Sequence, residues 1–363
     1  MAEESMPLVV GIHSPYCIRK EPYSQQLQLT GTNAEKNAYM AALKRELLSW
    51  EGQLEGYEIP ALHLFGPSAT VMSPDLLGGL LKTAREILPL AQGAEISVDT
   101  HPLTVGTPAL TGIAAGRPNR MELMMRSASD EELRALGCSH TMQHVKNAVL
   151  FFNRFHMNNF GLTVDLGIPG QTEHSWHNTL HACTIIHPAH IHVQTPSACE
   201  AEGAPGEETR FALYRQGCAF LKENGYQQYA AGDFCLPQHA CRYTALALEG
   251  TPRLGLGLGA VSLLEGYLTR STNRLAAYLR YAGDYEKTTA EVFAAGPEYL
   301  MREYVSQRLR SPAGLSADAF AQRFGSELPD DLQGELSGRA EQGLLTETRE
   351  GCVPTERGLF SLL

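Results

Sequence analysis

The sequence predicts an α/β protein: an open barrel of six β/α units, followed by a C-terminal mixed and helical region that ends in a winged-helix-like segment. Three observations carry that prediction. Short apolar runs alternate with longer helical patterns from residue 8 to about 195, and such alternation implies a parallel sheet covered by helices. A polar stretch with Gly and Pro, CEAEGAPGEE at 199–208, then interrupts the alternation, as a loop or linker does. Beyond it the chain is mixed, then helical from about 290, and closes on GLLTETREGCVPTERGLFSLL, a short hairpin and helix.

The predicted strands are 8–13, 61–66, 94–100, 120–127, 162–167 and 190–195. The predicted helices between them are 34–51, 74–88, 130–135, 142–154 and 172–185. Ser73 before Pro74, and Ser129 before Asp130, Glu131 and Glu132, are helix starts: a capping hydroxyl, then Pro or acid in the first turn. A further helix at 208–224 stops at Gly225. RLGLGLGAVS at 253–262 reads as a strand or tight turn where backbones approach closely. It is no phosphate loop, because it lacks the Lys and Ser/Thr that follow the glycines of one. The domains expected are 1–198, 209–290 and 291–363. In α/β barrels the ligand sits at the carboxyl ends of the strands.

Composition narrows the function. At 363 residues the chain exceeds what one core usually fills. A net charge of -11 with no basic stripe argues against a nucleic-acid partner. No apolar run reaches the 18 residues that mark a transmembrane segment, and the N-terminal stretch lacks a basic signal-peptide region. A cytoplasmic protein is expected. The eight cysteines are scattered, with no C-x-x-C pair, and in a reducing compartment such thiols are mostly small buried apolar groups.

The order of segments resembles the radical S-adenosylmethionine proteins of the oxygen-independent coproporphyrinogen III oxidase group, and within it the HemW-like haem-chaperone branch. The stretches that carry the resemblance are IHSPYC (12–17), SPDLLGGLL (73–81), EISVDTHP (95–102), NRMEL (119–123) and DEELRALG (130–137). They continue with IPGQTEHSW (168–176), GYQQYAAGDFCLPQHACRY (225–243) and LGLGLGAVSLLEG (254–266). The resemblance runs nearly end to end. It implies a radical-SAM-type partial barrel, a HemN/HemW-type extension, a 4Fe–4S cluster on a C-x-x-x-C-x-x-C loop and a bound S-adenosylmethionine.

The chain departs from the family's pattern where that chemistry resides. Cys17 matches the first cluster thiolate, but Glu21 and Ser24 stand at the other two. A carboxylate and a hydroxyl are hard donors in place of soft thiolates. The next cysteine, Cys138, is too far along the chain to be expected as a replacement. The family's glycine triplet corresponds to FGPSAT at 65–70, where only Gly66 survives; Pro67 also removes an N–H donor. The third-strand Glu becomes Asp99 and the fourth-strand Gln becomes Arg126. The fifth-strand Asp falls on Thr163, with Asp165 on the same face two residues later. In the haem chaperones' H-N-x-x-Y-W stretch, Tyr243, Thr244 and Leu248 stand at the His, Asn and Trp positions. Tyr243 is a candidate haem ligand, since a phenolate can ligate ferric haem, or a half-buried Tyr of ordinary kind.

Alternation supplies further candidates. Glu122, Met124 and Arg126 share one face of the fourth strand, Ser97 and Asp99 one face of the third, and His192 and Gln194 one face of the sixth. Glu122 and Arg126 either neutralise one another or address a charged ligand; as a pair they are the candidate catalytic residues. His174, His177 and His181 lie along one helical face, a metal patch or, beside the apolar stripe Trp176, Leu180 and Cys183, a solvated face. Cys235, His239 and Cys241 have ligand chemistry but are ordinary in the resembled segment. The expectation is a catalytically degenerate member of the group that binds haem or a related tetrapyrrole, its cluster and S-adenosylmethionine lost. The alternatives are a radical enzyme (oxidase or methyltransferase) with an unusual cluster, and a scaffold whose protein partner is an intact paralogue.

Overall fold

A computed structural model describes residues 5–24 and 26–363. In chain order the elements begin with β1 (Met6–His13), α1 (Asn33–Leu48), β2 (Tyr57–Phe65), α2 (Pro74–Ile87), β3 (Leu90–Thr100), α3 (Thr107–Ile113) and β4 (Arg120–Arg126). Next come α4 (Asp130–Ala135), α5 (Met142–Arg154), β5 (Phe160–Asp165), α6 (Glu173–Ile186), β6 (His190–Gln194) and α7 (Glu207–Glu223). Then follow β7 (Gln227–Ala230), β8 (Asp233–Cys235), α8 (Arg242–Leu248), β9 (Arg253–Leu256), β10 (Val261–Leu264) and β11 (Tyr267–Ser271). The chain continues through α9 (Leu275–Tyr281), α10 (Tyr285–Thr288), β12 (Thr289–Ala294), α11 (Pro297–Arg308), β13 (Leu315–Ser316) and α12 (Ala317–Phe324). It ends with α13 (Asp330–Glu341), β14 (Leu345–Thr348), β15 (Gly351–Pro354) and α14 (Glu356–Phe360). These form two compact units, Met1–Thr163 with Thr251–Ala294, and Val164–Gly250 with Ala295–Leu363.

The first unit holds the parallel strands β9-β1-β2-β3-β4, extended antiparallel by β10, β11 and β12. Leu8 through Ile12 are buried without a break, as expected of a parallel strand covered on both faces. α1 begins in a capping box: Thr32 accepts from Glu35 N at 3.3 Å and Thr32 N donates to Glu35 Oε2 at 2.7 Å. The Gly-rich run does mark close approach. A Cβ on Gly255 would meet Val261 O at 2.5 Å, and one on Gly257, at φ 107°, would meet His13 O at 2.8 Å.

The second unit pairs β6 and β8 antiparallel, with His192 opposite Asp233, and β8 with β7. Its C-terminal part is a helical module around Tyr304, Leu309, Phe320, Leu332 and Cys352, closed by the three-stranded sheet β13-β15-β14 and by α14. Sequence patterning leaves several short elements unnamed, among them α3, β7, β8, α9 and α10, and the strand β12 stands where the chain was expected to turn helical. TAEVFA alternates well enough to pair with β11, and the helix waits for Pro297 at its first turn. Among the described residues no helix is long and apolar enough to cross a membrane.

Candidate functional site

The loop after β1 is tied down by its own backbone. Leu29 N donates to Pro15 O at 2.8 Å and Cys17 N to Leu29 O at 2.9 Å. Cys17 is buried and its Sγ lies 3.4 Å from Leu29 O. Gln28 closes the loop on Glu21: its Oε1 accepts from Glu21 N at 2.6 Å and its Nε2 donates to Glu21 O at 3.3 Å. Ser24 is a turn residue whose Oγ accepts from Gln26 N at 3.2 Å.

With its main chain fixed in this way, Glu21 turns its carboxylate inward. Oε2 is paired with Arg126 Nη1 and Oε1 lies 3.9 Å from His101 Nε2, with only 10% of the Glu21 side chain and 3% of the Arg126 side chain exposed. Burial would raise the Glu21 pKa, but the neighbouring His101 imidazole and the Arg126 charge hold it below the ordinary carboxylate value. Arg126 sits at φ 65°, the left-handed region that a non-Gly residue enters at a cost. The void here, about 20 Å³, is lined by Cys17, Glu21, Ser24, His101 and Met124.

The neighbouring polar groups are also matched internally. His63 Nε2 donates to Asp99 Oδ1 at 2.7 Å and Gly66 N to Asp99 Oδ2 at 3.1 Å. Gly66 has φ 139°, and a Cβ there would fall 2.0 Å from Ser14 O. Burial alone would lower the His63 pKa; the Asp99 carboxylate outweighs it and raises the value. Phe65 stacks on His13 at 5.0 Å. Glu122 accepts from Arg120 Nε at 2.6 Å, and its carboxylate fills the space that a Cβ on Gly161 would take, 1.8 Å from Oε2. Of the two residues that alternation places together, Glu122 is paired with Arg120 and Arg126 with Glu21. Arg120 was findable, since it shares the face of Glu122 two residues away.

His101, Cys138 and His140 were not findable. Cys138, set aside for its distance along the chain, reaches the site because the turn after α4 packs on the first loop. Gly137, at φ 71°, leaves no room for a Cβ beside Pro22 Cδ, which would be 2.9 Å away. Cys138 Sγ lies 3.8 Å from Arg126 Nη1. His140 is 2% exposed; its Nε2 bonds Met125 O at 3.1 Å and its Nδ1 has no partner. Burial first, then the neighbouring His101, push its pKa down to about 4. The two rings meet edge to face at 5.0 Å. Donor atoms of Glu21, Cys138 and His140 all lie within 4.8 Å of one another.

The remaining candidates divide by their surroundings. Thr163 is half-buried on β5. Asp165 is buried and accepts from Gln194 Nε2 at 2.8 Å, while its carbonyl takes Gln171 Nε2 at 3.1 Å. His192 Nδ1 bonds Asp233 Oδ1 at 2.7 Å, and His190 Nε2 lies 3.4 Å from the same oxygen and 2.9 Å from Tyr229 Oη. Burial opposes ionisation of Asp233, but His192 and His190 hold its pKa far below the usual range. Tyr243 is half-buried on α8. His174, His177 and His181 are exposed, and His177 meets Phe220 edge-on at 4.9 Å over a shallow groove of about 550 Å³ between α6 and α7.

Comparison with known proteins agrees with this architecture. Residues 297–361 match the HemN C-terminal domain family. The heme chaperone HemW of Escherichia coli is 25% identical over 98% of this chain and 96% of its own. Coproporphyrinogen III oxidase, anaerobic 1, of Cereibacter sphaeroides is 23% identical over 77% of this chain and 67% of its own. The solved structure of the coproporphyrinogen III oxidase HemN of Escherichia coli, described as a radical SAM enzyme, superposes with a TM-score of 0.84 at 20% identity, over 99% of this chain and 89% of that one. The α/β fold built on parallel strands, the match of the C-terminal domain and the near full-length relatives together support a likeness to the HemW/HemN-like radical SAM group.

Proposed function

We propose that this chain is a cluster-free member of the group that binds haem or a related tetrapyrrole, as a binding or chaperone protein, and generates no radical. The observation that carries the first half is the Glu21–Arg126 ion pair at the position of the second cluster thiolate, beside a void of about 20 Å³. A water occupies roughly 10–15 Å³ by that measure, so the void suits one water and neither a cluster nor a nucleotide. Cys17 is the single thiolate of the motif, and iron–sulfur clusters are held by several. Asp99 and the Gly66 N–H satisfy each other and His63 where the resemblance puts cofactor contacts. The residues do not fit the cluster, and no reaction step runs through it.

The haem half rests on kinship with the heme chaperones, near full length on both sides. His192 supports it chemically. The Nδ1 contact with Asp233 orients the imidazole in the way carboxylates orient metal-binding histidines. Tyr243 offers a phenolate. Haem titration of the full chain is expected to give a saturable Soret band that weakens about tenfold or more in His192→Ala or Tyr243→Phe; a titration like that of an unrelated acidic protein removes the haem reading. Anaerobic reconstitution with iron and sulfide is expected to leave less than one cluster per chain. Four irons together with 5′-deoxyadenosine formation would favour the radical oxidase or methyltransferase instead, and co-purification of a paralogue with all three cysteines would favour the scaffold.

A further inference from the structure

We infer that Glu21, Cys138 and His140 form a site for one divalent transition-metal ion of the zinc class. The inference rests on the reading that the first loop carries no cluster, and not on haem binding.

The donor set comes first. A carboxylate oxygen, a sulfur and an imidazole nitrogen within 4.8 Å of one another are the ligand types that zinc takes at about 2.0–2.3 Å in a tetrahedron. A thiolate and an imidazole disfavour magnesium and calcium, which take oxygen. Bonds of that length set the donors roughly 3.2–3.8 Å apart, so closing the site asks for small side-chain rotations and no change of fold.

The second observation is independent of the cluster of donors. His140 is 2% exposed, its Nε2 faces the Met125 carbonyl and its Nδ1 is without a partner. A buried ring nitrogen left without a partner is destabilising. A ring nitrogen tied to a main-chain carbonyl is how metal-bound imidazoles are oriented, with the other nitrogen left to the metal.

The surrounding groups then take supporting roles. Arg126 engages Oε2 of Glu21, and Gln28 fixes the Glu21 main chain from both sides. His101 is not a ligand through Nε2: its Nδ1 accepts from Leu103 N at 3.2 Å, so in the neutral ring Nε2 carries the proton and faces Glu21 Oε1 as a donor. The void of about 20 Å³ on the Glu21 side, lined also by His101 and Ser139, has room for one water.

The test uses the full chain, stripped with chelator and titrated with Co²⁺ under reducing, oxygen-free conditions. Saturation at one equivalent is expected, with a thiolate-to-cobalt charge-transfer band, tetrahedral d–d bands, and loss of both on adding Zn²⁺. Cys138→Ser should abolish the charge-transfer band while circular dichroism stays that of the parent. His140→Ala should weaken binding by about tenfold or more, and Cys218→Ser should change nothing. Absence of a tetrahedral spectrum, or a charge-transfer band that survives Cys138→Ser, overturns the site. Iron–sulfide reconstitution on separate material tests the cluster-free reading, so the two can fail separately.

Discussion

Two glutamates in the first unit meet burial in opposite ways. Glu21 has a guanidinium and an imidazole beside it, and its pKa is held below the ordinary value. Glu46, on α1, is reached by neutral donors: Gly257 N at 2.8 Å and the hydroxyl of Tyr278. Burial pushes its pKa up to about 7, against both hydrogen bonds. The difference teaches that burial alone does not set the charge of a carboxylate; a cation buried with it does. The first loop is therefore a locked ion pair near pH 7. The Glu46 corner lies beside a cavity of about 490 Å³ lined by Trp50, Tyr267 and Tyr285 and, among the described residues, has no buried cation to hold its charge.

The hardest blow to that contrast is Arg126→Ala. It strands Glu21 as a buried charge without its main partner and should cost about 3–5 kcal/mol in chemical denaturation. Adding Glu21→Gln to that variant should recover more than half of the loss. A single-variant cost under about 1 kcal/mol would show that the pair is no lock.

Next in size is a pH effect. The folded protein holds the Glu46 proton that the unfolded chain releases near 4.5, so stability is fully present below 4.5 and declines as pH rises through about 7. The decline is up to about 3 kcal/mol at 1.36 kcal/mol per unit. Glu46→Gln should flatten the stability profile between pH 5 and 8, and an unchanged slope would assign it to other groups. Glu21 runs the other way: its contribution is present above the unfolded pKa and is lost as pH falls through the lowered folded value, so acid should loosen the first loop.

The smallest expected effect sharpens the second site. Tyr278→Phe removes one neutral donor from Glu46 and should cost about 1–2 kcal/mol at pH 8. At pH 5, where the carboxyl is protonated, the cost should be less; equal costs at both pH values would mean that the hydroxyl does not report on the charge.

Much of the fold was legible because hydrophobic period is local. The apolar run 8–12 predicts a strand covered on both faces, and Leu8 to Ile12 are buried. Ser129 with three acids after it predicts the start of α4, and its side chain does accept from Glu132 N. Alternation also put Glu122 and Arg126 on one face of β4, but it could not name their partners. Arg120 was within reach of the sequence, whereas Glu21 stands in a loop that the sequence does not tie to β4.

The sequence alone determined that Cys17 is followed by Glu21 and Ser24, because residue type at a given spacing is read directly from the chain. It also determined the strands and helix starts, which depend on neighbours within a turn or two. Only the tertiary structure decided what surrounds Glu21. Glu21, His101, Arg126, Cys138 and His140 meet where separate loops converge, and charge balance in a buried site depends on distances through space, which the order of residues along a chain does not encode.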